Sequence, residues 1–350
     1  MATQYLTSEP GETLDRTVEK LSPDKVLVIT DKNVEEKVFP LLGTSKILKD
    51  SCRFILEGGE DCKNLDNVVR IWSKLEEVGA TRNSLITNIG GGVVTDLGGF
   101  AASTFKRGIR TINIPTTLLG AVDAATGGKT GINFQGLKNE IGTFHHPSAV
   151  ILSEKPFRTL PTEEILSGYA EMVKTALISD RSFYNSLLEM DMVLDHPEIL
   201  GKAVEKCVKI KEEIVADDPN ERGLRKILNF GHTAGHAFES LALEKGRTLT
   251  HGKAVAHGIL VALILSHASL GFPSQEVAVY QQFLKRYYGL PLMSCEDMDE
   301  VIEKMRHDKK NKRYGEPVFT LLKDIGAPEI NINLTDTDIR SALELYIDMA

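Results

Sequence analysis

Apolar positions along the chain fall into two textures. In the first, short apolar runs alternate with amphipathic stretches. Lys25 to Thr30 (KVLVIT) is a β-rich run ending at Asp31, and Asp31-Lys32-Asn33 reads as a turn or helix cap. Phe54 to Leu56 predicts a second strand, followed by Glu57-Gly58-Gly59-Glu60. From Asn64 to Val78 the residues Leu65, Val68, Val69, Trp72 and Leu75 recur at helical spacing. The apolar run Ser84 to Ile89 stops at Gly90-Gly91-Gly92 and resumes as a helical segment, Val93 to Thr104, with further strands at Arg110 to Ile114 and from Ala149. This alternation predicts a parallel, helix-covered sheet for roughly the first 155 residues.

The second texture starts at Leu160-Pro161, where Thr162 and Glu163-Glu164 make a fair helix start. Helical patterns follow over Thr162 to Ile178, Pro197 to Ala216, Leu224 to Leu243, Lys253 to Leu270, Gln275 to Tyr287 and Asp297 to Arg306. Strand-like runs nearly vanish until Val318 to Leu322. The apolar run Gly258 to Leu270 contains His267, is too short to span a bilayer and reads as a buried helix. The expected architecture is an α/β, Rossmann-like parallel-sheet domain over residues 1–157 and an all-α domain over residues 158–350.

Composition narrows the function classes. With 350 residues, 42% hydrophobic, the chain can bury two ordinary cores. A net charge of −8 argues against a nucleic-acid or anionic-membrane surface, so an anionic substrate needs a local cluster of cations. Cys52, Cys62, Cys207 and Cys295 form no C-x-x-C pair, as expected of reduced thiols in the cytoplasm. MATQYLTSEP lacks the basic start and apolar core of a signal peptide.

The richest chemistry lies between Asn88 and Gly142. A strand, a glycine turn and a helix start make a phosphate cradle, because glycines let the backbone approach an anion and the N–H groups of the helix start point at it. Gly90-x-Gly92 followed by Thr95 lacks the third glycine of the dinucleotide fingerprint, so the cradle alone is a weak signal. Beyond it, Pro115-Thr116-Thr117 offers two hydroxyls, and Asp123, Lys129, Lys138 and Asn139 crowd a glycine-broken loop. In the second half, His232 and His236 stand four apart and share a helix face, and His251 follows in a glycine-bounded loop. Glu171 lies in an apolar helix, where a carboxylate must be paired or bound to metal, and Lys174 at i+3 could form a simple ion pair with it. By spacing alone, packing and metal binding both remain open for these groups. His145, His146, His196, His257 and His267 read as structural, and Asp217 and Asp218 as helix-ending caps.

GGGVVTDLGGF, Lys106-Arg107-Gly108, PTTLL, D-x-x-x-GGKTG-x-N and LKN-x-IG-x-F together resemble the signature of the 3-dehydroquinate synthases, within the sugar phosphate cyclases. The resemblance covers nearly the whole chain, thinning before Lys25 and after Gly326. It implies a dehydroquinate synthase-like fold, tightly held NAD and a catalytic Zn2+ (or Co2+) bound by Glu171, His232 and His251. Implied cofactor contacts are Glu60 and Lys63, then Gly92, Val93, Val94, Thr95 and Asp96, then Thr116 and Thr117, Lys129 and Lys138, and Phe157, Arg158 and Thr159. Implied substrate contacts are Lys129, Asn139, Lys174, Lys211, Arg225, Asn229, His236 and Lys310 (favoured over Lys309), in a cationic cleft between the domains. Arg107 matches an arginine that reaches a neighbouring subunit's site, which implies a homodimer. Asp123, Lys129, Lys174 and His236 are the groups implied to orient substrate and move protons.

The family reaction converts 3-deoxy-D-arabino-heptulosonate 7-phosphate to 3-dehydroquinate and phosphate in the shikimate pathway. A temporary oxidation by NAD acidifies a neighbouring C–H, phosphate leaves, the hydride returns and an internal aldol closes the ring, so the overall reaction is that of a lyase. Lys211, Arg225, Asn229 and His236 together fit a substrate bearing a carboxylate. The neighbouring readings are an inosose or valiolone synthase, which would differ at those positions, and a metal-dependent polyol dehydrogenase.

Overall fold

The computed structural model describes residues 2–135, 137–189, 193, 195–289, 291–307 and 317–349. It divides into two compact units, the first made of Met1–Pro161 with Met192–Glu212 and the second of Thr162–Asp191 with Glu213–Ala350.

The first unit is built on a six-stranded sheet. Its strands are β1 (Thr3–Leu6), β2 (Val26–Asp31), β3 (Cys52–Leu56), β4 (Leu85–Gly90), β5 (Arg110–Pro115) and β8 (Ala149–Leu152). They run in the order β1-β8-β5-β4-β2-β3, and every pairing is parallel. Side chains alternate between two cores, as a pleated strand requires. Leu27, Ile29 and Ile86 pack with Val68, Ile71 and Leu75 of α4 (Leu65–Glu77) and Val94 and Leu97 of α5 (Gly92–Thr104). Val28, Leu85 and Ile89 face the other way, onto Leu14 and Val18 of α1 (Pro10–Leu21), Val34 of α2 (Lys32–Lys37) and Leu48 of α3 (Lys46–Asp50). Asp31 is the cap expected of it, its carboxylate accepting from the Val34 N–H at 3.0 Å.

β1 has no counterpart in the sequence reading, being too short and polar to signal itself. The stretch after Asp123, expected as a broken loop, is largely an antiparallel hairpin, β6 (Lys129–Phe134) and β7 (Leu137–Phe144). Gly131 and Gly142 are strand residues there. A Cβ on Gly131 would lie 2.8 Å from the Ile141 carbonyl oxygen, and one on Gly142 would lie 2.2 Å from that of Thr130.

The second unit is helical, with one β-hairpin among the described residues. Its helices are α6 (Thr162–Leu177), α7 (Arg181–Leu188), α9 (His232–Glu244), α10 (His251–Leu270), α11 (Ser274–Tyr287), α12 (Met298–Arg306) and α13 (Asp336–Met349); α8 (Gly201–Asp217) precedes α9 along the chain. β9 (Val318–Asp324), expected, pairs with β10 (Ala327–Asn333), not expected. α10 is the central helix, buried almost without interruption from Ala254 to Ser266. Its 20 residues are apolar enough to cross a membrane, but 72% of its most apolar window is buried against the protein, as a core helix requires.

Two helix boundaries differ from the expected ones. The pattern Leu224 to Leu243 breaks into a 3-10 turn, Leu224–Asn229, and α9, because Gly231 adopts φ +78. α10 begins at His251, so this histidine opens a helix instead of lying in a loop.

Candidate active site

In the second unit, glycines set the distances. A Cβ on Gly252 would sit 1.9 Å from the Ser167 carbonyl oxygen, one on Gly258 would sit 2.1 Å from that of Gly231, and one on Gly235 would sit 3.2 Å from that of Ala254. α10 therefore meets α6 and α9 at backbone contact. The first residue of α10, the first residue of α9 and a residue one turn beyond Ser167 on α6 are brought together. These are His251, His232 and Glu171.

Glu171 is 1% exposed, and its two oxygens face different partners. Oε2 lies 2.5 Å from the Nζ of Lys174, itself 1% exposed. Oε1 lies 3.6 Å from His232 Nε2 and 3.4 Å from His251 Nε2. Donor atoms about 2.0–2.1 Å from a tetrahedral ion stand about 3.3–3.4 Å apart, so this spacing fits zinc better than it fits hydrogen bonding. Each ring also has its far nitrogen engaged. His232 Nδ1 lies 3.1 Å from the Phe230 carbonyl oxygen, and His251 Nδ1 lies 3.0 Å from Glu239 Oε2. Burial disfavours a charged His251 ring, but the carboxylates of Glu239 and Glu171 outweigh it and push its pKa up to about 10. A cation seated among these donors would take the place of that proton.

His236 stands beside both rings, its centroid 5.4 Å from that of His232 and 6.1 Å from that of His251. With Glu239 and His251 it forms a second trio of donor atoms within 4.8 Å of one another. Glu239 went unassigned in the sequence, although its position three beyond His236 and seven beyond His232 puts it on the same face.

Before α9, the loop that carries Arg225 and Asn229 is organised by a group read as a cap. Asp218 accepts backbone N–H bonds from Arg222, Gly223 and Arg225 at 3.0, 2.7 and 3.1 Å, which hold its carboxyl below the usual range. Arg225 is 2% exposed and donates to the Pro219 carbonyl at 2.7 Å, and Asn229 Nδ2 donates to Glu221 Oε1 at 2.8 Å. Lys310 lies outside the described residues.

The first unit gathers its own set. Lys63, 4% exposed, places Nζ 2.6 Å from Asp96 Oδ2 and donates to Asn139 Oδ1. Burial raises the Asp96 pKa, and Lys63 works against that rise. Asn133 Nδ2 donates to Glu60 Oε1 at 2.8 Å, while Asn133 Oδ1 accepts from the Asn139 N–H at 3.0 Å. Asn139, implied on the substrate, thus touches a cofactor-assigned lysine, and Asn133 is the unassigned link. α5 begins at Gly92 with Gly91 as a cap that has no side chain to offer, leaving first-turn N–H groups for a ligand. Gly91 allows close approach to Thr117, whose Cγ2 would lie 2.9 Å from a Cβ there. Thr116 donates its N–H to the Gly90 carbonyl at 3.0 Å. Val93 and Val94 lie in the first turn of α5, and the Thr95 hydroxyl turns back to the Gly92 carbonyl at 3.2 Å. Asp123 sits in a π-turn, Gly120–Ala124, and its Oδ1 is 2.6 Å from Lys211 Nζ. Lys129 and Lys138 are exposed on the hairpin. Phe157 is buried in the 3-10 turn Lys155–Thr159, Arg158 is exposed, and Thr159 donates its hydroxyl to the Pro156 carbonyl at 2.8 Å. Exposed Arg107 has φ +69 between Lys106 at +49 and Gly108 at +114, a left-handed run that two of its three residues adopt at a cost.

Comparison with known proteins gives one consistent result. Residues 53–167 match the family model described as 3-dehydroquinate synthase N-terminal, and residues 168–311 match 3-dehydroquinate synthase C-terminal. The 3-dehydroquinate synthase of Parabacteroides distasonis is 47% identical over 93% of this chain and 92% of its own. That of Thermococcus kodakarensis is 40% identical over 98% and 95%. Among solved structures, a 2-epi-5-epi-valiolone synthase from Streptomyces hygroscopicus with NAD+ and Zn2+ bound has a TM-score of 0.83 at 24% identity, over 100% of this chain and 98% of that one. At that identity the likeness establishes the fold.

Proposed function

The chain belongs to the 3-dehydroquinate synthase family, and from that membership we propose how its own residues carry the family's reaction. The activity is that of a carbon–oxygen lyase, turning 3-deoxy-D-arabino-heptulosonate 7-phosphate into 3-dehydroquinate and phosphate. The observation that carries the assignment of roles is the convergence of two imidazole Nε2 atoms on one oxygen of buried Glu171, at 3.4 and 3.6 Å.

Glu171, His232 and His251 would hold the divalent cation, zinc or cobalt. Lys174 pairs with one oxygen of Glu171, leaving the other facing the two rings. The uncapped start of α5, from Gly92 to Thr95, with Thr116 and Thr117, would receive the NAD pyrophosphate. Glu60, Lys63 and Asp96, tied by Asn133 and Asn139, would hold its adenosine side, with Lys129, Lys138 and the Phe157–Arg158–Thr159 turn as further contacts. When bound, the cation supplies Lewis acidity at a substrate oxygen, and the nicotinamide supplies hydride acceptance and return. His236 orients the substrate and moves protons beside the two ligating histidines. Lys211 holds Asp123 in place for the same work through an ion pair. Arg225 and Asn229, set by the loop folded around Asp218, grip the substrate's carboxylate and hydroxyls together with Lys129, Asn139, Lys174 and Lys310. We extend the reading to a cytoplasmic homodimer in which Arg107 serves the neighbouring site.

The test is incubation with the heptulosonate phosphate and NAD, following released phosphate and NADH absorbance together. Phosphate release without NADH build-up is the expected result. NADH accumulation without phosphate release would mark a polyol dehydrogenase. Preference for glucose 6-phosphate or sedoheptulose 7-phosphate would mark a sister cyclase.

A further inference from the structure

Glu239 has been given no part in the reaction. It sits on α9, the helix that opens with His232, and its side chain is 11% exposed. Its Oε2 lies 3.0 Å from the Nδ1 of His251, at hydrogen-bond distance, while the Nε2 of the same ring faces Glu171 Oε1 at 3.4 Å. A carboxylate oxygen can only accept, so the ring hydrogen is fixed on Nδ1 and the Nε2 lone pair is left for the cation. His232 is treated in the same way by the Phe230 carbonyl, 3.1 Å from its Nδ1. Two rings, on two helices, are thus turned by two acceptors so that both Nε2 atoms address one oxygen. That repetition is hard to obtain from packing alone. Glu239 differs from the carbonyl in carrying a full charge, which makes His251 the stronger donor of the pair.

We propose that Glu239 is the positioning residue of the metal centre, fixing the tautomer and orientation of His251 without itself binding the cation. The inference rests on the assignment of Glu171, His232 and His251 as ligands. The competing role, direct ligation in the trio Glu239, His236 and His251, places the cation on the other side of the ring.

The test compares the parent chain with Glu239→Gln and Glu239→Ala, measuring cobalt affinity by chelator competition and recording the cobalt ligand-field spectrum. Glutamine keeps an acceptor at nearly the same place but without the charge, so it controls for simple misfolding. The expected result is one cobalt per chain in all three. Affinity should fall about 10–100-fold in the alanine variant and less in the glutamine variant, with a perturbed spectrum in the former. Affinities within about twofold of the parent and an unchanged spectrum in both variants would overturn the proposal, since loss of an outer-shell contact of this kind typically costs about 10–100-fold. So would loss of stoichiometric binding in Glu239→Gln, which would make Glu239 a ligand. If the parent itself takes up no cobalt, the ligand assignment fails and this inference falls with it.

Discussion

A carboxylate that is 1% exposed persists only if its charge is answered, and Glu171 is answered twice, by Lys174 and by the two imidazoles. Glu171→Ala should therefore abolish metal loading and turnover while leaving NAD binding largely intact. Metal analysis and NAD titration of the purified variant check this, and full zinc stoichiometry would remove Glu171 from the ligand set. Lys63 makes a second buried pair, with Asp96. Lys63→Ala strands that carboxylate and should cost about 3–5 kcal/mol in urea unfolding. His257 offers a pH test. Burial, followed by the charge of Lys253, pushes its pKa down to about 3, and its Nδ1 lies 2.8 Å from the Tyr346 hydroxyl. Unfolded, the ring titrates near about 6.5, so its neutral burial contributes fully above that pH and is lost as pH falls toward the folded value. The unfolding free energy should drop by up to about 1.4 kcal/mol per pH unit from this group, and His257→Gln should flatten the profile by that amount. Sequence spacing left Glu171, His232 and His251 open between packing and metal binding, and only the family signature implied them as ligands. Glu239 and Asn133 escaped because their roles depend on which ring nitrogen or which turn they meet, and no spacing encodes that.

At the level of elements, the active-site helices are held by absence. Gly252→Ala would drive a methyl to within 1.9 Å of the Ser167 carbonyl and force α10 away from α6. The expected cost is about 3 kcal/mol or more, at the top of the overpacking range, with weakened cobalt binding because His251 moves with the helix start. Thermal melts and cobalt titration together separate a local shift from general loss of fold. Periodicity made most helices and the parallel strands legible. It missed the break at Gly231, because a left-handed glycine inside an apolar pattern leaves the hydrophobic spacing intact. It also missed the β6–β7 hairpin, because glycines at close strand crossings look like the glycines of a loop.

For the whole molecule, the proposed dimer makes a prediction that neither unit makes alone. Arg107→Ala and Glu171→Ala chains should each be inactive. Mixed under conditions that allow subunit exchange, they should regain about one quarter of parental turnover, since half the dimers are hybrids with one site intact. No recovery, with exchange verified by mass, would count against an arginine shared between subunits. The sheet order β1-β8-β5-β4-β2-β3 has a further consequence. Residues 3–6 are synthesised well before residues 149–152, the strand they join. Until β8 is made β1 lacks the strand it pairs with, so an element synthesised early is among the last of its unit to settle. Any lesion that delays β8 should be felt at β1.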